Sequence, residues 1–172
     1  PIPYLELPDE VNPFLGNRGI RRSLGADSDL FETQLRALLR AAAAGDGTLS
    51  VMFPLVATLD ELTAALDAVE RVARDLDAEG IEYATPELGV MIETPAAVFT
   101  AEAFADEVDF LSIGTNDLAQ YVMAADRENE AVAELHDPQQ PAVLQAIKRA
   151  VEAAHDHDAW IGMCGGMAGD PE

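Results

Sequence analysis

The chain has 172 residues, of which 49% are hydrophobic. This is enough for one domain with a packed core, and we treat residues 1–172 as a single domain. The 32 acidic and 10 basic residues give a formal net charge of -22, which argues against nucleic acid and anionic membrane as partners. The single cysteine excludes an internal disulfide, and no stretch approaches the roughly 18 consecutive apolar residues of a membrane span.

The acidic residues are dispersed along the chain, whereas lysine occurs once, at Lys148. Dispersed acid with almost no lysine indicates a halophilic protein, in which counterions at high salt screen the repulsion between like charges. A dedicated acidic docking face is the alternative. No signal peptide is visible in the sequence, and we expect a cytoplasmic protein.

Helical and strand patterns alternate from about residue 28 onwards. Asp29 and Glu32 predict the N-cap and third residue of a first helix, which the run Gly45-Asp-Gly47 ends. Thr58 and Glu61 form a capping box for a second helix. In chain order the prediction is a helix at 29–45, a strand at 49–55, a helix at 58–80, a strand at 88–93, a helix at 95–105, a strand at 109–114, a helix at about 142–155 and a strand at 160–164.

Four apolar strands separated by helices predict parallel βαβ units with right-handed crossovers, which is an α/β fold. The periodicity leaves open whether these strands close into a barrel or lie in an open sheet. In either arrangement the carboxyl ends of the strands meet at one edge, where such folds place their sites.

Two carboxylates stand at the ends of two successive predicted strands. Glu93 ends an apolar run and precedes Thr94 and Pro95, an N-cap and a first-turn proline. Asp117 follows the next strand after Gly114-Thr-Asn116, residues small enough for backbone amides to approach an anion. Hard oxygen ligands of this kind suit Mg²⁺ carrying a phosphorylated substrate. The alternative is a pair of acids that only cap helices.

Five motifs occur in order along the chain: 12–21 (NPFLGNRGIR), 51–54 (VMFP), 89–95 (GVMIETP), 112–127 (SIGTNDLAQYVMAADR) and 162–171 (GMCGGMAGDP). Together they resemble the Enzyme I family of the sugar phosphotransferase system, and specifically its phosphoenolpyruvate-binding barrel domain. The match keeps one register from residue 12 to the end of the chain, which makes the resemblance specific.

The resemblance implies a partial (β/α)8 TIM-type barrel with about four interior parallel strands and their helices. A complete barrel needs about 250 residues, so two earlier and two later strands would be absent. Pro1 follows no initiator methionine, which fits an internal cut. We therefore expect a fragment that neither closes a barrel nor turns over substrate alone.

The resemblance also implies roles for particular side chains: Mg²⁺ binding by Glu93 and Asp117, substrate binding by Arg18, Asn116 and Arg127, and protonation of the pyruvate enolate by Cys164. On residue type alone, Asn116 also fits a turn residue, Arg127 a solvated surface residue and Cys164 a small buried apolar residue. The planar guanidinium of arginine is better suited to binding phosphate than the ammonium group of lysine is.

Other residues near these positions are expected to have structural or surface roles. Arg21 and Arg22 are predicted to be structural or surface residues, since the family pattern places the substrate-binding arginine at Arg18. Two positions depart from the pattern: Asn17 replaces a tryptophan, which weakens packing behind Arg18, and Gly166 replaces a glutamate beside Cys164. The three histidines are predicted to be surface residues: His136, His155 and His157.

By resemblance the parent protein would be a transferase and kinase of the phosphotransferase system, a phosphoenolpyruvate-protein phosphotransferase. It would transfer phosphate from phosphoenolpyruvate to its own histidine and then to a phosphocarrier protein for sugar transport, as a homodimer. A fragment of pyruvate phosphate dikinase or phosphoenolpyruvate synthase is the nearest alternative; residues 12–21 and 124–127 fit Enzyme I better. The alternative outside the enzymes is a non-catalytic module for binding or dimerisation.

Overall fold

Four parallel strands form the centre of the fold in a computed structural model, which describes residues 9–45 and 47–169. The strands are β1 (Ser50–Phe53), β2 (Glu87–Ile92), β3 (Phe110–Gly114) and β4 (Trp160–Cys164), and they lie side by side in the order β1-β2-β3-β4. All three pairings are parallel. The predicted α/β fold with four parallel strands is therefore confirmed.

Six α-helices connect and cover these strands. They are α1 (Ile20–Ser23), α2 (Ser28–Ala44), α3 (Leu59–Ala78), α4 (Pro95–Ala105), α5 (Thr115–Met123) and α6 (Pro141–Asp156). Short 3-10 helices occur at Pro13–Leu15, Glu130–Leu135 and Gly166–Gly169. Because the strands are in sequential order, right-handed crossovers place the connecting helices on one face of the sheet. Within the described ranges, no helix has the length and apolarity that crossing a membrane requires.

The predicted helix starts are confirmed where a threonine caps the helix. Thr58 Oγ1 accepts a hydrogen bond from Glu61 N at 3.2 Å, and Glu61 Oε2 accepts one from Thr58 N at 3.1 Å, which completes the capping box. Thr94 Oγ1 accepts from Ala97 N at 3.1 Å and starts α4. The predicted bounds of α4 and β4 match the observed ones.

Three local predictions are wrong. The N-cap of α2 is Asp27 instead of Asp29, and the Asp27 side chain is paired with Arg22 instead of capping the helix. Strand β1 ends at Phe53, before Pro54, which has no amide hydrogen to donate. The sequence also did not predict helix α5. At the end of α2, Gly45 is the C-cap as expected, while Asp46 lies outside the described residues.

The two faces of the sheet differ in burial. Phe53, Val90 and Leu111 lie in register across β1, β2 and β3 and are buried in the core with residues of the helices. One position earlier in the register, on the opposite face, Met52 is 42% exposed, and Phe110 is buried beneath the stacked ring of Trp160, which is 48% exposed. A parallel sheet with one face buried by helices and the other partly exposed has the layering of a barrel wall.

Candidate functional site

Glu93 follows β2 directly at the carboxyl edge of the sheet and is 5% exposed. Its Oε1 accepts a hydrogen bond of 2.6 Å from the amide of Leu55, a residue in the left-handed region with φ of 57°. Its Oε2 faces Gly114, where a Cβ would lie 3.0 Å from that oxygen and 2.7 Å from Met91 Cε. The glycine therefore leaves the space that the carboxylate occupies.

Burial raises the pKa of Glu93, and the hydrogen bond from Leu55 partly offsets this increase. The negative charge of Asp117 raises the pKa further, whereas the positive charges of Arg18 and Arg127 lower it. Two acidic and two basic side chains from separate parts of the chain thus act on one another's charge. These four are predicted site residues, and the other two, Asn116 and Cys164, lie in the first turn of α5 and at the end of β4 at the same edge.

Asp117 lies in the first turn of α5. Its Oδ2 accepts from Arg127 Nη1 at 3.2 Å, and its Oδ1 is buried and has no hydrogen-bond partner among the described residues. A buried carboxylate oxygen without a partner carries a desolvation cost that a bound cation would remove. Asp117 therefore fits a metal ligand better than a helix cap alone.

The donor set also fits Mg²⁺. Glu93 and Asp117 supply hard oxygen ligands, and Mg²⁺ usually binds to one or two carboxylates while water and substrate phosphates fill its other positions. In residues 9–45 and 47–169 no three acidic, histidine or cysteine side chains cluster as a closed metal cage. The pair would hold an ion that shares its shell with a substrate.

Asn116 is a first-turn residue of α5, so the alternative that it is a simple turn residue is wrong. Its Oδ1 accepts a hydrogen bond from Gly166 N at 3.2 Å. This contact assigns the side-chain oxygen to the protein and leaves the Nδ2 hydrogens available to an anion. The backbone oxygen of Asn116 contacts Nε2 of His136 at 2.8 Å, so His136 packs beside the site instead of standing free on the surface.

Cys164 ends β4 and is half-buried. Its Sγ donates to the carbonyl of Ile113 at 3.4 Å and accepts from Ser112 Oγ at 3.7 Å. The carbonyl of Cys164 accepts from Thr115 Oγ1 at 3.1 Å. The next residue, Gly165, has φ of 97°, and a Cβ there would lie 2.4 Å from Thr115 Oγ1. The chain around the thiol is therefore fixed by contacts with β3 and the start of α5.

The two departures from the family pattern have modest local consequences. Asn17 is exposed and its amide donates to Glu10 Oε1 at 2.8 Å, while the ring behind the Arg18 guanidinium is that of Phe14. At Gly166 an added Cβ would meet Asn116 Oδ1 at an ordinary 3.4 Å. The backbone contact that orients Asn116 is compatible with either residue at that position.

Arg21 and Arg22 have structural contacts, as predicted. Arg21 Nη1 donates to the carbonyls of Gly16 at 3.3 Å and Leu15 at 3.4 Å, which holds the loop before α1. Arg22 pairs with Asp27 through both guanidinium and carboxylate atoms. These contacts leave Arg18 as the arginine of this segment that lies beside Glu93.

Sequence reasoning missed several residues that organise the site. Leu55 donates to Glu93, Ser112 donates to Cys164, and the ring of Phe14 lies beneath the guanidiniums of Arg18 and Arg127. Ser112 and Phe14 lie inside motifs already recognised, so their positions were visible while their contacts were not. His157 also has a partner, Asp106 Oδ1, at 2.6 Å; His155 is exposed, as predicted.

Comparison with known proteins gives consistent results. A family model described as "PEP-utilising enzyme, PEP-binding domain" matches residues 1–172. A phosphoenolpyruvate-protein phosphotransferase of Haloferax volcanii is 67% identical over 173 residues, covering 100% of this chain and 31% of the relative. One of Listeria monocytogenes is 53% identical over 170 residues, covering 98% of this chain and 29% of the relative. The chain therefore spans about a third of the length of these curated relatives.

A solved structure shows the fold. The citrate lyase of Burkholderia xenovorans LB400, a TIM-barrel-like protein, superposes with a TM-score of 0.57 and 18% sequence identity, over 77% of this chain and 40% of the other. At this identity the likeness concerns the fold alone. The family match over the whole chain and the two relatives show that this chain belongs to the PEP-utilising enzymes, as a PEP-binding domain.

Proposed function

We propose that this chain is the phosphoenolpyruvate-binding part of a longer phosphoenolpyruvate-protein phosphotransferase of the Enzyme I type. Such a protein transfers phosphate from phosphoenolpyruvate to a histidine outside this chain and releases pyruvate. The observation that carries the proposal is the buried Asp117 Oδ1, which has no hydrogen-bond partner among the described residues, within electrostatic range of the buried Glu93 carboxylate, on which Arg18 and Arg127 also act. The names of the relatives support the same activity.

Different side chains act in the two steps of the reaction, phosphoryl transfer and protonation of the enolate. Mg²⁺ held by Glu93 and Asp117 would supply positive charge to the substrate phosphate and carboxylate when bound. Arg18 and Arg127 neutralise the phosphoryl oxygens, and the Nδ2 group of Asn116 donates a hydrogen bond to them. The bond between phosphorus and the enol oxygen then breaks as phosphorus bonds to a nitrogen of the accepting histidine, and the electron pair of the broken bond stays on the enol oxygen.

Cys164 acts on the enolate left behind. The thiol transfers its proton to the methylene carbon as the carbon–oxygen double bond of pyruvate forms, and the resulting thiolate takes a proton from water. The hydrogen bond from Sγ to the Ile113 carbonyl supports a protonated thiol in the resting site.

The wider role is a further part of the proposal, and the relatives' names support its phosphotransferase part. We propose a cytoplasmic, homodimeric parent that passes its phosphate to a phosphocarrier protein in a sugar phosphotransferase system. We also propose adaptation to high salt, which the formal net charge of -22 supports. Pyruvate phosphate dikinase or phosphoenolpyruvate synthase is a second candidate, because the matching family is described only as PEP-utilising. An ATP-grasp domain in the full gene would favour that candidate.

The test uses the full-length protein with phosphoenolpyruvate and Mg²⁺ in deuterated water. We expect Cys164→Ala to keep part of the phosphohistidine formation and to lose stereospecific deuterium labelling of the pyruvate methyl group. Asp117→Asn should lose both products. Wild-type rates for both products in Cys164→Ala would make Cys164 a packing residue. No phosphohistidine in the wild-type protein would refute the proposed activity and favour a binding or dimerisation module.

A further inference from the structure

The ring of Phe14 contacts both arginines of the site. Phe14 lies in the 3-10 helix Pro13–Leu15, and its centroid is 4.9 Å from Cζ of Arg18 and 5.6 Å from Cζ of Arg127. Both distances lie within the range in which a guanidinium is attracted to an aromatic face. One half-buried ring therefore connects two cations from distant parts of the chain.

The segment that carries Phe14 is attached to the metal-binding side of the site. The hydroxyl of Tyr121 in α5 donates a hydrogen bond to the carbonyl of Phe14. Burial raises the pKa of Tyr121, so the phenol remains a donor at neutral pH. Asp117 lies on the same helix and pairs with Arg127 at 3.2 Å. Helix α5 thus fixes the positions of the ring and of one of the arginines.

Without a ligand, two guanidiniums at one site repel each other, and each has a long side chain with many rotamers. An aromatic face attracts both cations and restricts their side chains before the anion arrives. We propose that Phe14 is a positioning residue that holds Arg18 and Arg127 as one clamp for an anionic phosphorylated substrate. This inference rests on the proposed function, which supplies the phosphoenolpyruvate.

Phe99 offers a matched control. It is 71% exposed on α4, and its ring centroid lies 5.2 Å from Cζ of Arg149. The substitution Phe99→Leu thus removes the same kind of contact away from the site residues. In the full-length protein, Phe14→Leu should raise the KM for phosphoenolpyruvate by about tenfold while kcat stays within about threefold. Phe14→Tyr keeps an aromatic face and should restore the wild-type KM.

The second readout does not need activity. In nitrogen-15 spectra of the arginine side chains, Phe14→Leu should shift the signals of Arg18 and Arg127 together, because both lose the ring current of one aromatic group. Phe99→Leu should shift the Arg149 signal only and leave KM within about twofold of wild type.

Three results would overturn the inference: no shift of either arginine signal in Phe14→Leu, an unchanged KM in that variant, or a Phe14→Tyr variant as impaired as Phe14→Leu. An inactive wild-type protein would count against the proposed function instead. In that case the arginine signals alone decide whether Phe14 positions the two cations.

Discussion

Glu93 is a side chain whose burial reduces the stability of the protein. It is an acid held 5% exposed at the end of a strand, and its principal backbone donor, Leu55, has a strained conformation with φ of 57°. An ionised carboxylate in such a place is poorly solvated. A bound cation would provide the charge that the surrounding protein supplies only in part.

We expect Glu93→Gln to stabilise the protein in the absence of Mg²⁺. Burial raises the pKa of Glu93 above 4.5, so the protonated form contributes stability that is present below pH 4.5 and is lost as the pH rises through the folded-state value. The Glu93→Gln variant has no ionisable group at this position, so it does not lose this stability as the pH rises. Chemical denaturation at several pH values should show similar free energies of unfolding below pH 4.5 and a more stable variant at pH 7.

Addition of Mg²⁺ and phosphoenolpyruvate at pH 7 should reverse that order, because only the wild-type site retains both carboxylates. Equal free energies of unfolding for the two proteins across the whole pH range without metal would show that burial does not disfavour the charge of Glu93.

The placement of Glu93, Asp117 and Cys164 could be predicted from the sequence because each stands at or just after the end of a strand pattern, whereas their expected roles came from the family resemblance. Parallel strands bring such positions to one edge whatever the details of packing. The contact of Phe14 with Arg127 could not be predicted, because it joins residues far apart in the chain that share no periodic pattern. The orientation of Asn116 likewise depends on the amide of Gly166, 50 residues away.

Among the elements, α5 shows where local patterns fail. It begins after Gly114 without a side-chain cap and opens with Thr115, Asn116 and Asp117, which are weak helix formers. It ends at Ala124, which has φ of 51° where helices commonly have glycine. By contrast, α3 and α4 carry threonine caps and were predicted from them. Packing against α6, α4 and β3 therefore determines the position of α5.

The C-terminus of α5 gives a prediction at this scale. Ala124→Gly should stabilise the protein by roughly 0.5–1 kcal/mol, since glycine adopts a positive φ without the steric cost that alanine carries. The same change at exposed Ala64, within α3, should destabilise by about 1 kcal/mol because it weakens a helix interior. Urea denaturation measures both values. A destabilised Ala124→Gly variant would mean that its left-handed conformation is not strained.

For the whole molecule, charge dominates. All ten basic residues lie in the described ranges, and seven of them pair with an acid, at Arg21, Arg22, Arg36, Arg71, Arg74, Arg127 and Lys148. Exposed pairs of this kind contribute little stability each. Ten basic residues cannot balance 32 acidic ones, so water and counterions must offset the remaining repulsion.

We expect the melting temperature to rise with potassium chloride. Salt screens the repulsion that arises from the net charge of -22. If this raises the free energy of unfolding by about 2 kcal/mol, Tm rises by roughly 4–8 °C for a domain of this size. The increase should be steepest below about 1 M, where the Debye length falls to about 3 Å. Calorimetric melts in a salt series check this, and a flat or falling series would contradict the high-salt interpretation.

We propose that Glu93 and Asp117 bind one Mg²⁺ together with phosphoenolpyruvate. Calorimetric titration of the full-length protein with phosphoenolpyruvate, with and without Mg²⁺, tests this shared site. We predict binding that depends on Mg²⁺ and a loss in affinity of at least about tenfold in Asp117→Asn, which keeps the shape of the side chain and removes its charge. Equal affinity with and without Mg²⁺, or unchanged affinity in Asp117→Asn, would contradict the shared metal site.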